Sequence, residues 1–65
     1  MKIMINKLQY ELPLGASLAD AISVIQPASP FAAAINRQFV PKTSYSQTRL
    51  QPDDDVEIIR PVTGG

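Results

Sequence analysis

In residues 2–12, KIMINKLQYEL, apolar and polar side chains alternate on both sides of the pair Asn6-Lys7. In the first half, Ile3 and Ile5 fall on one face and Met4 on the other. The second half repeats the pattern, with apolar residues at Leu8, Tyr10 and Leu12. A period of two is typical of half-buried strands, and Asn tolerates the positive φ that a tight turn requires. The stretch therefore predicts a β-hairpin.

A helix is predicted after this hairpin. Ser17 is a good N-cap, and Asp20, three residues later, suits a capping box. The residues that follow Ser17 carry an apolar stripe at helical spacing, formed by Leu18, Ala21, Ile22 and Ile25. Pro27 disfavours helical geometry in the residue before it, so we expect the helix to end at Ile25 or Gln26.

Further strands are predicted in the second half of the chain. FAAAI, residues 31–35, and QFV, residues 38–40, flank a turn candidate at Asn36-Arg37. The last strand is VEIIRPV, residues 56–62, in which alternate positions are apolar. Between them, residues 42–52 are polar and irregular, so Tyr45 and Leu50 are expected to anchor this segment in the core. Three other aromatic residues are also assigned to the core, namely Tyr10, Phe31 and Phe39.

The order strand, strand, helix, strand, short strand, strand predicts an α+β fold of the ubiquitin-like β-grasp type. We expect a mixed sheet of four to five strands with one main helix packed across one face. The first and last strands should lie side by side and parallel at the centre of this sheet. The predicted β-grasp domain comprises residues 1–61, and residues 62–65 form a flexible C-terminal Gly-Gly tail.

The composition of the 65 residues excludes several chemistries. There is no Cys and no His, which rules out disulfides, Cys or His zinc sites, a Cys nucleophile and a His base. The serines in loops have no activating partner in the sequence. The only glycine before residue 64 is Gly15, so no glycine-rich phosphate loop is present. The run Asp53-Asp54-Asp55 is interpreted as a turn of solvated carboxylates rather than a metal site. We therefore expect a protein that is not an enzyme by itself and holds no metal.

The charge pattern narrows the choice of partners. The six basic and six acidic residues give a net charge of zero, and no basic stripe appears, so nucleic acid is not expected as a partner. No apolar stretch is long enough to span a membrane, and the first residues do not resemble a signal peptide. We therefore expect a cytoplasmic protein with no membrane partner.

The C-terminal pair Gly64-Gly65 contrasts with a chain that otherwise almost lacks glycine. Without side chains, such a pair can pass through a narrow channel in another protein. Its α-carboxylate is ionised at neutral pH and is a nucleophile toward the α-phosphate of ATP. The resulting acyl-adenylate would be open to attack by sulfur or an amine. We therefore interpret the pair as a reactive handle rather than a structural end.

The second half of the chain resembles the ThiS family, the sulfur carriers of thiamine biosynthesis. The resemblance lies in AAAINRQFVPKTSYSQTRLQPDDDVEIIRPVTGG, residues 32–65, and is most specific in residues 36–41 and 55–65. The first half fits in length and order. Two departures are modest: the family often has Gly-Asp where this chain has Asp54-Asp55, and Trp where it has Tyr45.

The resemblance implies a mechanism and a set of partners. A ThiF-type adenylating enzyme would use ATP to adenylate the carboxylate of Gly65, with Gly64 as the penultimate glycine. Sulfur drawn from cysteine through a cysteine desulfurase would then replace AMP and leave a thiocarboxylate. Thiazole synthase would take this sulfur for the thiazole ring. The chain itself would bind no cofactor, and we expect a monomer when it is free.

A partner surface is expected next to the tail. Met4 on the first strand and Ile59 on the last should point away from the helix and show apolar side chains on the open face of the sheet. The residues that lead to the glycines should also contact the partner, namely Pro61, Val62 and Thr63.

Three other functions stay open. The chain could be the small sulfur-carrying subunit of molybdopterin synthase, although that subunit is usually longer. It could be a ubiquitin-like protein modifier whose Gly65 ends as an isopeptide on lysine. It could also be a β-grasp binding module whose terminal glycines have no function.

Overall fold

The structure, a computed structural model, describes residues 1–60. The elements in chain order are β1 (Lys2–Ile5), β2 (Leu8–Glu11), α1 (Leu18–Ile25), β3 (Ala32–Ile35), β4 (Gln38–Val40), a 3₁₀ helix (Lys42–Gln47) and β5 (Asp55–Ile59). The strands form one five-stranded sheet in the order β2-β1-β5-β3-β4. Only β1 and β5 are parallel; the other three pairings are antiparallel. The predicted fold class and the central pair of parallel strands are confirmed.

Both hairpins turn on a two-residue loop that begins with Asn. Asn6 and Lys7 have φ of 51° and 68°, and Asn36 and Arg37 have φ of 50° and 71°. Positive φ at both loop positions is the signature of a type I′ turn, whose twist matches that of the flanking strands. The two turns that the sequence predicted are therefore confirmed, and they fix the register of β1 on β2 and of β3 on β4.

The two turn asparagines also hold β5 between the hairpins. The Asn6 N–H donates to the carbonyl oxygen of Val56 (2.9 Å), while the Asn6 Oδ1 accepts from the N–H of Ile58 (2.9 Å). On the other side, the Asn36 N–H donates to the carbonyl oxygen of Asp55 (2.7 Å), and its Oδ1 accepts from the N–H of Asp55 (3.0 Å). Each asparagine thus adds two hydrogen bonds to β5 beyond the end of its own strand, so the central strand is bound on both edges.

The helix begins and ends where the sequence predicts. Ser17 Oγ accepts from the N–H of Asp20 (3.2 Å), and the Asp20 carboxylate accepts from the N–H of Ser17 (2.9 Å), which completes a capping box. Gln26 closes the helix in the left-handed conformation, with φ of 50° and its N–H bonded to the carbonyl oxygen of Ile22. Leu18 and Ala21 are fully buried against the sheet.

The core lies between α1 and one face of the sheet. Its fully buried side chains come from both, and the largest are Ile3, Ile5, Leu18 and Val56. Leu50, one of the two predicted anchors, is buried, and the other, Tyr45, packs against the core and stacks on Phe31 with ring centroids 6.2 Å apart. Tyr10 also packs against the core. The segment predicted to be irregular contains the 3₁₀ helix.

The assignment of Phe39 to the core is wrong. Its side chain is 69% exposed. The register explains this, because Phe39 pairs with Ala34, whereas the buried Ala33 pairs with Val40, which packs against the core. The residue of β4 that faces α1 is therefore Val40, and Phe39 projects from the other side of the sheet. Leu8, on the edge strand β2, is likewise exposed rather than buried.

The acidic run forms a turn, as predicted. Asp53 has a φ of 68°, and Asp55 is already the first residue of β5. The Asp54 carboxylate accepts from the N–H of Gln51 (2.7 Å) and from Nδ2 of Asn36 (3.1 Å). The carboxylate of Asp54 is thus used in the turn itself.

Among residues 1–60, the structure contains no helix long and apolar enough to cross a membrane. Pro61 and the predicted tail at 62–65 lie outside the described residues, so the predicted boundary between domain and tail stays a prediction.

The double contact of Asn6 with β5 can be tested by Asn6→Gly. Glycine takes positive φ at no steric cost, so the turn is retained while the N–H of Ile58 loses its acceptor. We expect a loss of about 1–3 kcal/mol in the free energy of unfolding, measured by urea denaturation. The matched control is Lys7→Gly, at a neighbouring positive φ, which should be neutral or stabilising. Equal stabilities of the two variants would contradict this role of Asn6.

The helix cap gives a second prediction. Ser17→Ala removes the acceptor for the N–H of Asp20, and we expect it to cost about 1 kcal/mol, seen as a lower midpoint of thermal unfolding. Ser23→Ala, in the exposed part of the same helix, should have no effect or a small stabilising one, because alanine is the better helix former. A Ser17→Ala midpoint as high as that of Ser23→Ala would show that the cap contributes nothing.

Candidate functional site

The face of the sheet opposite α1 carries the candidate partner surface, and we call it the open face. Its members follow from the alternation along each strand and from the pairing registers. They are Lys2, Met4, Gln9, Glu11, Ala32, Ala34, Phe39, Asp55, Glu57 and Ile59. β5, the last described strand, is at the centre of this sheet and ends at Ile59.

Met4 and Ile59 both lie on the open face, as the alternation predicts. Ile59 is 52% exposed and Met4 is half-buried. They do not form one patch, however, because Met4 pairs with Asp55 on β5 and Ile59 is four positions further along that strand. Glu57 lies between Asp55 and Ile59 on the same face, so carboxylates separate the two apolar residues.

The exposed apolar surface instead crosses β5, β3 and β4. We define the apolar patch as Ala32, Ala34, Phe39 and Ile59. Ala32 pairs with Ile59, and Ala34 pairs with Phe39, so the four residues are joined through β3. Ala34 itself is only 7% exposed, so the exposed part of the patch comes from the other three residues.

The sequence alone did not place Phe39 on this surface. Its apolar character suggested the core, and a strand of only three residues shows almost no alternation. The hairpin turn before Phe39 could have predicted the face on which this side chain lies. A two-residue loop at Asn36-Arg37 pairs Ile35 with Gln38, and Phe39 must then lie opposite Ala34, one position out of phase with the buried Ala33.

The Asp and Glu side chains divide into those that contact another group and those that do not. Four of the six acidic side chains hold a contact within the described residues: Glu11 with the amino group of Met1 (3.5 Å), Asp20 with the N–H of Ser17 (2.9 Å), Asp53 with Nζ of Lys2 (3.7 Å), and Asp54 with the N–H of Gln51 (2.7 Å). Within residues 1–60, the side chains of Asp55 and Glu57 have neither a hydrogen-bond donor nor a cation at bonding distance. Both are half-buried and lie on the open face.

These two carboxylates line a cleft between the hairpin turns. Its walls are Asn6, Lys7, Arg37, Asp55 and Glu57, and its volume is about 390 Å³. The two basic side chains stand at its rim without forming ion pairs to the acids within 4.0 Å, as far as the structure describes the chain. In the same residues 1–60, no three acidic side chains come together as a metal site.

The other predicted site residues fall in the part of the chain that the structure does not describe. These are Pro61, Val62, Thr63, Gly64 and Gly65. Their roles as partner contacts and as the reactive terminus stay predictions.

Comparisons with known proteins agree with this architecture. The model of the ThiS family matches residues 3–65, which is nearly the whole chain and includes both terminal glycines. The fold is similar to the crystal structure of the thiamine biosynthesis protein (ThiS) from Geobacter metallireducens, with a TM-score of 0.83, 16% identity and 100% coverage of both chains. No curated protein matches the sequence. The chain thus belongs to the ThiS family, the small sulfur carriers of thiamine biosynthesis.

Proposed function

We propose that the chain carries sulfur as a thiocarboxylate on Gly65. In the first step, an oxygen of the Gly65 carboxylate attacks the α-phosphorus of ATP, and pyrophosphate leaves. In the second step, a sulfur nucleophile at the oxidation level of sulfide attacks the acyl carbon. A C–S bond forms, and AMP leaves with the electron pair of the acyl C–O bond. The sulfur is then donated for the thiazole ring of thiamine.

The family match over residues 3–65 is the observation that carries this proposal. It supports the thiamine pathway over the molybdopterin synthase subunit, because that subunit would be expected to match a different family. The position of β5 gives physical support. A strand bonded on both edges holds the start of the tail in a fixed place, so a partner that binds the sheet can receive the terminus at a defined distance.

The chemistry that this chain lacks would come from its partners. A ThiF-type enzyme would bind ATP and activate Gly65, and thiazole synthase would accept the sulfur. A cysteine desulfurase would supply that sulfur as a persulfide, which a second thiol would reduce to the sulfide level; that thiol would be left oxidised in a disulfide. The chain itself would bind no cofactor. We further propose that the partners contact Pro61, Val62 and Thr63, and that Gly64 lies in the channel that leads to the nucleotide. Met4 and Ile59 would contribute from the open face.

Deleting Gly65 tests the reactive terminus. The deletion shortens the tail by one residue, about 3.3–3.6 Å of extended chain, so the carboxylate no longer reaches the α-phosphorus in line. We expect ATP–pyrophosphate exchange by the adenylating enzyme to fall to the level measured without carrier. The control is Ser23→Ala, in the exposed part of α1, which keeps the chain length and should keep exchange. Full exchange with the deletion variant would contradict the role of Gly65.

The wild-type chain and the Gly65 deletion variant also distinguish a sulfur carrier from a protein modifier. If Gly65 served to label other proteins, cell extract with ATP would convert the chain into a ladder of lysine conjugates. We expect no ladder, because the acyl-adenylate is consumed by sulfur. A ladder that requires Gly65 would replace the carrier proposal by the modifier one, and a binding module would show neither exchange nor conjugates.

A further inference from the structure

We propose that two copies of this chain associate through the outer edge of β2, which pairs with itself in antiparallel orientation about a two-fold axis at Tyr10. On the helix side of the joined sheet, Leu8 of each copy would enter an apolar hollow of the other copy. This assembly would replace the monomer expected from the sequence.

The backbone of β2 offers hydrogen-bonding groups on its outer side. β2 is an edge strand, so residues 1–60 supply it with one neighbour, β1. The pair that flanks a two-residue hairpin loop exchanges both backbone hydrogen bonds, and such pairs alternate along the ladder. The even-numbered residues of 8–12 therefore bond to β1, and the N–H of Leu12 accordingly donates to the carbonyl oxygen of Met1 (2.9 Å). The N–H and C=O groups of Gln9 and Glu11 thus point outward.

The two edges of the sheet differ in how they are protected against pairing. At the other edge, β4 has three residues, and Phe39 is the one that lies between hydrogen-bonded pairs and points its backbone groups outward. Pro41 follows, and it has no N–H to donate. Short strands and proline are devices by which proteins prevent edge pairing. β2 carries no proline within its four residues, Leu8–Glu11, so its edge can accept a further strand.

A second copy of β2 would satisfy these outward groups. With the two-fold axis at Tyr10, Gln9 of each copy faces Glu11 of the other, and each of these pairs exchanges both backbone hydrogen bonds. Lys7, in the turn before β2, then lies diagonal to Glu11 of the other copy, within reach for a long side chain. The Glu11 carboxylate is also close to the amino group of its own Met1 (3.5 Å), which offsets the repulsion between the two Glu11 side chains. The edge is therefore complementary to itself in hydrogen bonds and in charge.

The exposed apolar side chains on the helix side suit the same axis. Three of the five large apolar side chains that are exposed in residues 1–60 lie away from the open face: Leu8, Leu14 and Val24. Leu8 is 62% exposed and lies on the helix side of β2, because it pairs with the buried Ile5. Leu14 and Val24 line a hollow of about 440 Å³ beside Leu12. The proposed axis sets Leu8 of one copy opposite Leu12 of the other, at this hollow, and the contact occurs twice by symmetry.

The association does not involve the strand that leads to the terminus. β1 lies between β2 and β5 in the sheet, so the contact is two strands away from β5. The inference and the proposed function are therefore tested by separate experiments.

Sedimentation equilibrium of the purified chain tests the association. We expect the weight-average mass to rise from 7.1 kDa toward twice that value as the concentration increases from about 10 µM to about 1 mM, a range suited to a small interface. Gln9→Pro removes an outward N–H and keeps the bonds to β1, and Leu8→Ser removes the apolar contact. Each should raise the dissociation constant of the dimer by about tenfold or more. The matched control Phe39→Ser removes a side chain of similar exposure (69%) from the other edge strand and should keep the wild-type constant.

A cysteine placed at the axis tests the geometry. The chain has no Cys, and the Cα atoms of a non-hydrogen-bonded antiparallel pair are about 4.5 Å apart, within the range of a disulfide. Tyr10→Cys should therefore form a covalent dimer under mild oxidation, whereas the control Gln38→Cys, on β4, should stay monomeric.

Urea denaturation verifies that every variant is folded. A wild-type mass of 7.1 kDa at every concentration would leave the edge of β2 to a different polypeptide and would overturn the inference. A dimer that Phe39→Ser weakens and Leu8→Ser does not would place the contact elsewhere and would overturn it as well.

Discussion

The insertion of β5 between two hairpins is the constraint on which the rest of the structure depends. β5 is the last strand in the chain, yet it lies at the centre of the sheet, parallel to β1 and antiparallel to β3. The side chains of Asn6 and Asn36 extend the hydrogen bonding to β5 beyond the ends of β1 and β3. Because α1 covers only one face of this sheet, the strand that leads to the tail also exposes a face to partners.

Most of the fold could be predicted because local signals agree with one another. Ile3 and Ile5 are spaced two apart, as on one face of a strand, and are buried. Ser17 and Asp20 form the predicted capping box, and both turns begin with Asn at positive φ. In a chain without disulfides or metal sites of Cys or His, each such signal matters more, since apolar packing must stabilise a small core.

The candidate surface was less predictable, because it depends on pairing rather than on local pattern. A strand as short as β4 does not reveal which face Phe39 occupies; its partner Ala34 does. Likewise, three adjacent aspartates look equivalent in sequence, but Asp53 pairs with Lys2 of β1 and Asp54 accepts a hydrogen bond within the turn. Asp55 instead enters β5 and faces outward. The tertiary register thus separates one carboxylate from its neighbours.

The reactive role proposed for the terminus rests on the sequence alone, since Gly64-Gly65 stands out by composition and the family match includes it. The most direct measurement is the intact mass of the protein purified from cytosol under non-reducing, mild conditions, with the C-terminal fragment isolated afterwards. The sulfur-carrier function predicts a population heavier by the exchange of one oxygen for one sulfur, with the gain confined to the fragment that ends in Gly65. A terminus found only as the carboxylate, even after incubation with ATP, the adenylating enzyme and sulfide, would contradict it.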